Sequence, residues 1–242
     1  MSTTGGGHTD VRPLIAAEVA RAEDQPGLGG WLQRLCRTAA RTLPASGVGV
    51  SLISGHDDHA AVVAASGTDA EVIEQLQFTL GEGPCQDAYA LGRPVLTADL
   101  AGAARARWPG YAPAAQEHGV EAVFAFPLTI GAARLGAMDV YRAHTGSLTA
   151  KAVVRALAFA DAATEALLDA QEKAPDEDTL GLGGALSGYV LYQAQGMVHV
   201  QLGIDLSQAM ARLRAYAYAH DRSLSEVAAD VVARRLVLEE DS

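Results

Sequence analysis

The chain has 242 residues, 49% of them hydrophobic but only 5% aromatic, so a packed core must be built from Ala, Val and Leu. A formal charge of −11 argues against non-specific attraction to nucleic acid. Two cysteines, Cys36 and Cys85, are too few for a disulfide framework, and no stretch approaches the roughly 18 uncharged apolar residues of a membrane helix. With no secretory pattern in residues 1–10, the expectation is a cytoplasmic protein with no membrane association.

In chain order, residues 1–10 are Gly- and Thr-rich and expected to be flexible, and 11–22 are suited to a short helix. Pro26 and nearby glycines break the pattern before 31–43 repeats apolar residues at helical spacing, up to Pro44. Segments 47–54 and 60–66 are short and β-branched, and the His-Asp-Asp-His between them predicts a hairpin. That His-Asp pattern could suggest a metal, but a solvated tip accounts for it. Thr68 is placed to cap a helix through Gln77, Gly81 to Pro84 form a loop, and 85–90 fit a short helix. A short strand at 95–98 precedes a loop holding Trp108, Pro109, Tyr111 and Pro113. Strands at 120–130 and 135–141 follow, and Thr149 caps a long helix over 150–173.

After the acidic, Gly-rich 175–184, the strand pattern disappears. Three helices are expected: 185–202, stopped by Gly203; a second to His220, capped by Asp205 or Ser207; and a third through Leu238, capped by Ser223 or Ser225. Ser223 and Glu226 have capping-box spacing. Leu202, Leu206, Leu213, Leu224, Val227, Val231 and Leu236 supply a bundle core.

Ala194-Gln195-Gly196-Met197, Ala209, Leu213-Arg214, Ala217 and Leu224-Ser225-Glu226-Val227-Ala228 run through these helices. In that order and spacing they resemble the ANTAR domain, a three-helix RNA-binding module of bacterial antitermination regulators. The preceding elements, with Leu80-Gly81-Glu82-Gly83-Pro84-Cys85-Gln86-Asp87-Ala88, resemble the GAF domains fused to ANTAR in actinobacterial regulators. The expected class is therefore α+β: a GAF-like antiparallel sheet flanked by helices, then a three-helix ANTAR bundle. The expected division is a flexible segment 1–27, a sensor domain 28–148, a linker helix and acidic linker 149–184, and the ANTAR domain 185–238.

The resemblance implies a signal-responsive RNA-binding antitermination regulator, not an enzyme, whose partners are paired stem-loops in leader transcripts. From residue 180 on, five arginines face seven acids, so RNA must be recognised by shape and by specific contacts to unpaired bases. Arg212, Arg214 and Arg222 offer forks for phosphate or guanine, and Tyr218 a stacking face. Gln195 stands where many ANTAR domains carry Lys, and can still donate a hydrogen bond. Gly196 sits inside a helix, where close approach of another helix or of RNA accounts for it.

In the sensor half, Cys85, Trp108 and Tyr111 are the candidates for sensing a small-molecule ligand or redox state; the cofactor is left open. Cys85 follows Gly83-Pro84 at a possible helix start, which would favour thiolate, although a buried inert thiol also fits. The rival readings are a protein-interaction regulator and a GAF-type cysteine redox enzyme such as a free methionine sulfoxide reductase. The enzyme needs a resolving thiol near the nucleophile, and Cys36 is distant in sequence. The apolar stripe Val153, Val154, Leu157, Ala160, Leu167 and Leu168 suits pairing with a second copy, hence a homodimer.

Overall fold

A computed structural model describes residues 27–54, 59–173, 186–220 and 222–238, together with Pro13 and Ala17. The expectations for residues 1–10, for most of 11–22, for the tip of the first hairpin and for 175–184 lie outside these residues. The described elements are α1 (Gly27–Thr42), β1 (Gly47–Ser54), β2 (His59–Ala65), α2 (Thr68–Leu80), α3 (Pro84–Leu91), β3 (Val95–Thr97), α4 (Ala103–Arg107) and α5 (Tyr111–Glu117). They continue with β4 (Ala122–Ile130), β5 (Ala133–Arg142), α6 (Ala150–Lys173), α7 (Leu186–Leu202), α8 (Leu206–Ala219) and α9 (Leu224–Val232).

The strands form one antiparallel sheet in the order β2-β1-β5-β4-β3. Period-two alternation divides its faces. Val48, Val50, Phe124, Phe126, Met138 and Val140 point to one side, where they pack with Leu32, Leu35 and Cys36 of α1 and Phe159 and Ala163 of α6. Val123, Ala125, Ala137 and Tyr141 point to the other, with Ile73 and Phe78 of α2, Cys85 and Ala88 of α3, Trp108 and Tyr111. The helix read in sequence as a linker, α6, therefore lies against the sheet. Its Ala160 and Leu167 are buried, while Val154 and Leu157 stay exposed. Gly136 is forced by the sheet itself: a Cβ there would sit 1.9 Å from the Ser51 carbonyl oxygen.

The segment around Trp108 and Tyr111, expected as a loop, contains α4 and α5. Glu82 fastens it, accepting the backbone N–H groups of Gly110 (2.7 Å) and Tyr111 (2.8 Å). Helix α2 starts at Thr68 without a side-chain cap, with Gly67 at the capping position. Thr149 does cap α6, its hydroxyl accepting from the Ala152 N–H at 3.2 Å.

Helices α7, α8 and α9 enclose a core of Leu191, Ala194, Val198, Met210, Leu213, Leu224, Val227 and Val231. Leu202 and Leu236 pack at its margin, but Leu206 is exposed. Asp205 and Ser223 cap α8 and α9, each completing a capping box, with Gln208 and Glu226 respectively. Helix α9 stops at Val232, short of the expected Leu238, because Arg234 takes a left-handed backbone (φ 56°). The Asp230 carbonyl then accepts both the Arg235 and Leu236 N–H groups, the closing pattern of a helix C-terminus. The helical unit leans on the N-terminal half, α7 beside β2 and α8 and α9 against α2.

Candidate functional sites

The first site is a polar cluster sealed between the sheet and helices α2 and α3. Gly49 of β1 lies directly opposite Asp139 of β5. Its missing side chain makes room for Glu74, since a Cβ at Gly49 would fall 2.1 Å from Glu74 Oε1. Glu74 Oε2 accepts the Ser51 hydroxyl and Oε1 the Tyr141 hydroxyl, both at 2.5 Å. One turn along α2, Gln77 Nε2 donates to Asp139 Oδ2 (2.5 Å), and Gln77 Oε1 accepts the Cys85 N–H (2.7 Å). Ser51, Glu74, Gln77, Cys85 and Asp139 are all fully buried.

Burial dominates the electrostatics. It raises the Glu74 carboxyl to about 7, against the opposing hydrogen bonds from Ser51 and Tyr141. Burial and the Glu74 charge raise Asp139 well above the carboxylate range. The Cys85 thiol is raised by burial and then by Asp139 and Glu74, which disfavours thiolate and fits the buried inert thiol of the two readings that the sequence allowed. Cys36 is also buried and raised, chiefly by desolvation, and it belongs to the core on the opposite face of the sheet. The two thiols are thus separated by the sheet, an arrangement unsuited to a nucleophile and its resolving partner.

Trp108 and Tyr111 make a T-shaped pair, centroids 6.5 Å apart, that walls this half of the core. The Trp108 indole N–H donates to Asp87 Oδ2 (3.0 Å). Arg107 pairs with the same oxygen at 2.7 Å and covers the Trp108 ring at 4.9 Å. Trp108 is therefore committed to structure. The Tyr111 hydroxyl is fully buried and has no hydrogen-bond partner, as is true of Asp139 Oδ1.

Glu74, Gln77, Asp139 and Tyr141 were not evident in the sequence as site residues. The available signal was an aspartate inside the apolar run Leu135-Gly136-Ala137-Met138-Asp139-Val140-Tyr141, where a buried charge demands partners.

The second site is on the helical unit. Gln195 is only 1% exposed, and its amide donates to the Leu206 carbonyl at 2.8 Å. It braces α7 against the start of α8 and presents no surface to a partner. Gly196 is not explained by close helix packing: a Cβ there would meet nothing within 4 Å. It opens onto an apolar groove of about 620 Å³ lined by Met197, Val200, Val231 and Arg234. Arg222 is paired with Asp230 at 2.6 Å, and Arg235 holds the other oxygen of the same carboxylate at 2.7 Å. On α8, Arg212 is half-buried and Tyr218 is 75% exposed. Tyr216, half-buried, stacks on His220 with centroids 3.9 Å apart. Arg214 and Tyr218, four residues apart, are neighbours on one helix face. Arg214 reaches the N-terminal half, where its Nε donates to the Phe78 carbonyl at the end of α2 (3.0 Å). Its guanidinium lies over Gly81, so that a Cβ there would meet it at 3.2 Å.

The N-terminal half has the shape of known GAF domains. It superposes on the GAF domain of a Coxiella burnetii phosphoenolpyruvate-protein phosphotransferase with TM-score 0.54 and 18% identity, covering 66% of this chain and 92% of that one. For the GAF domain of the Acinetobacter phosphoenolpyruvate-protein phosphotransferase the values are 0.52, 11%, 68% and 96%. A search among curated proteins found no match. The profile of the GAF domain matches residues 28–168, and that of the ANTAR domain matches residues 187–232. The chain belongs to the GAF domain family and joins that domain to a C-terminal ANTAR domain.

Proposed function

We propose that the protein is a signal-responsive RNA-binding regulator of transcription antitermination, its GAF half sensing a ligand or redox state and its ANTAR half binding stem-loop RNA. The observation that carries this reading is the contact between Arg214 and the Phe78 carbonyl. It joins the helix that displays Tyr218 to the helix that carries Glu74 and Gln77 into the buried cluster. A change in that cluster has a short mechanical route to α8. RNA that engages Arg214 competes with the sensor for the same guanidinium.

Tyr218 offers an exposed ring for an unpaired base, with Arg212 on the same helix. The open side of Gly196 leaves space for a second point of approach. Among the described residues no helix is long and apolar enough to cross a membrane. Work on transcripts would place the protein in the cytoplasm. Exposed Val154 and Leu157 on α6 suit pairing of two copies, which would present two ANTAR heads to paired stem-loops and raise affinity through effective concentration. The enzyme reading is disfavoured by the separation of Cys36 from Cys85.

The test is titration of the full chain with hairpin RNA at modest ionic strength. Tyr218→Ala should weaken binding by roughly 5- to 100-fold, the loss of one base stack. Absence of any association by the unaltered chain, or an unchanged affinity in the Tyr218 variant, would overturn the RNA reading.

A further inference from the structure

Glu74 from α2, Cys85 from α3 and Asp139 from β5 each offer a ligand atom within 4.8 Å of the others, and all three side chains are fully buried. In the hydrogen-bond network around them, the Asp139 carboxyl uses Oδ2 for Gln77 and leaves Oδ1 without a partner. The Tyr111 hydroxyl, also buried and unpartnered, lies within electrostatic range of all three groups. Two orphaned polar atoms beside two carboxyls and a thiol are costly unless something is held between them.

We propose that Glu74, Cys85 and Asp139, beside the unpartnered Tyr111 hydroxyl, form a binding site for one divalent transition-metal ion of the zinc class. Bonds of about 2.0–2.3 Å at tetrahedral angles place the donors of such an ion about 3.3–3.6 Å apart, so the three ligand atoms, already within 4.8 Å of one another, draw together to grip it. The sulfur donor selects against magnesium and calcium, and the carboxylates keep the site from being purely soft. The surrounding hydrogen bonds are those that orient ligands. Ser51 and Tyr141 hold Glu74, and Gln77 positions both Asp139 and the backbone of Cys85. On binding, the Cys85 S–H bond breaks, its electron pair becomes the metal–sulfur bond, and its proton passes to buffer. Any proton on a carboxyl that becomes a ligand leaves in the same way.

This names the ligand class of the sensing half and rests on the sensing reading only for its regulatory meaning. The test reads metal binding and not RNA, so the two readings fail separately. The full chain is titrated with Co²⁺ and then Zn²⁺ by equilibrium dialysis and near-ultraviolet absorption. One Co²⁺ per chain should bind with a thiolate-to-cobalt charge-transfer band and be displaced by one Zn²⁺. Cys85→Ser should abolish the band and weaken binding about 10-fold or more, while Cys36→Ser, on the other face of the sheet, keeps both. X-ray absorption of the zinc-loaded unaltered chain should show one sulfur with oxygen ligands, a readout independent of whether any variant folds. Absence of saturable one-to-one binding, a band that survives Cys85→Ser or is lost in Cys36→Ser, or a shell of imidazole nitrogens would each overturn the proposal.

Discussion

Replacing Gln77 with Leu keeps most of the side-chain volume and removes both ends of a buried bridge. Gln77 Nε2 donates to Asp139 Oδ2 at 2.5 Å, and Gln77 Oε1 accepts the Cys85 N–H at 2.7 Å. With leucine in place, the Cys85 N–H loses its acceptor, and Asp139, whose Oδ1 already has no partner, keeps at Oδ2 only the long hydrogen bond from the Tyr141 hydroxyl at 3.4 Å. A buried polar group left unsatisfied costs about 1–3 kcal/mol, so the orphaned N–H gives at least that loss and the weakened carboxyl raises it to at most about 6 kcal/mol. That is a large fraction of the roughly 5–15 kcal/mol that holds a domain folded. The protein's two tryptophans, Trp31 and Trp108, both lie in the GAF half, so fluorescence during urea unfolding reports this half alone. Gln86→Leu is the matched control, because its half-buried side chain donates only to the Gln77 carbonyl at 2.9 Å. It should cost no more than about 1 kcal/mol. A Gln77→Leu midpoint shift no larger than that of the control would show that the bridge is not what organises the cluster.

Gly136→Ala should unfold the GAF half or cost more than about 4 kcal/mol by the same assay, since the new Cβ would stand 1.9 Å from the Ser51 carbonyl and neither strand can move alone; near-native stability would contradict the strand register. Gly196→Ala should stabilise the helical unit by about 0.5–1 kcal/mol, as the position is helical and open, while weakening hairpin RNA binding if the proposed approach there is right; unchanged RNA affinity would remove Gly196 from the interface. Acid should loosen the helical unit, because Asp205 is held below the usual carboxylate range by Ser207 and Gln208, Glu226 by Ser223, and Asp230 by Arg222 and Arg235. A depressed folded-state pKa gives stability that is complete above the unfolded value, near 4, and is lost as pH falls through the folded one; thermal melts followed by circular dichroism should fall below about pH 4 and less so in Asp230→Asn, and a flat profile would refute the assignment.

The sheet was legible because its strands alternate cleanly: Gly47, Gly49 and Ser51 face one side and Val48 and Val50 the other. The capping boxes at Asp205 and Ser223 were legible because capping is local chemistry. Helices α4 and α5 were not, since they have five and seven residues and no stripe long enough to display a period. The end of α9 was hidden by its apolar run, which continues as Val237 and Leu238 after the left-handed Arg234 has broken the helix. For the buried site, Cys85 and Tyr111 stood out as residue types, while Glu74, Gln77 and Asp139 did not. Glu74 and Gln77 are polar residues of a helix whose sequence carries no sign that they are enclosed. Only the pairing of β1 with β5, and the empty space over Gly49, brings them inside against Asp139. The same limit applies to Gln195, whose likeness to a surface Lys position gave no sign that its amide is enclosed against Leu206.

Helix α2 is where the two halves share a part. Within five residues it places Glu74 and Gln77 into the sealed cluster and the Phe78 carbonyl under Arg214. The carbonyl that Arg214 uses lies in the last turn of α2, where carbonyls lack an intrahelical partner and a cation is favoured by the helix dipole. Immediately beyond it, Gly81 adopts φ 71° and Gly83 φ 143°, conformations that side-chain-bearing residues rarely hold. A Cβ at Gly83 would also fall 2.4 Å from Gln77 Oε1. The loop therefore touches Gln77 at Gly83 and Arg214 at Gly81, two residues apart. Any ligand that repositions Gln77 must move this loop or be resisted by it, and movement of the loop changes the acceptor offered to Arg214. Coupling by this route needs no long path through the protein. It follows that Gly81→Ala, which strains the left-handed backbone and crowds the Arg214 guanidinium, should change hairpin RNA affinity in the full chain without touching the exposed face of α8. An RNA affinity identical to that of the unaltered protein, in a variant shown by its melt to be folded, would mean that the contact between the halves is only structural.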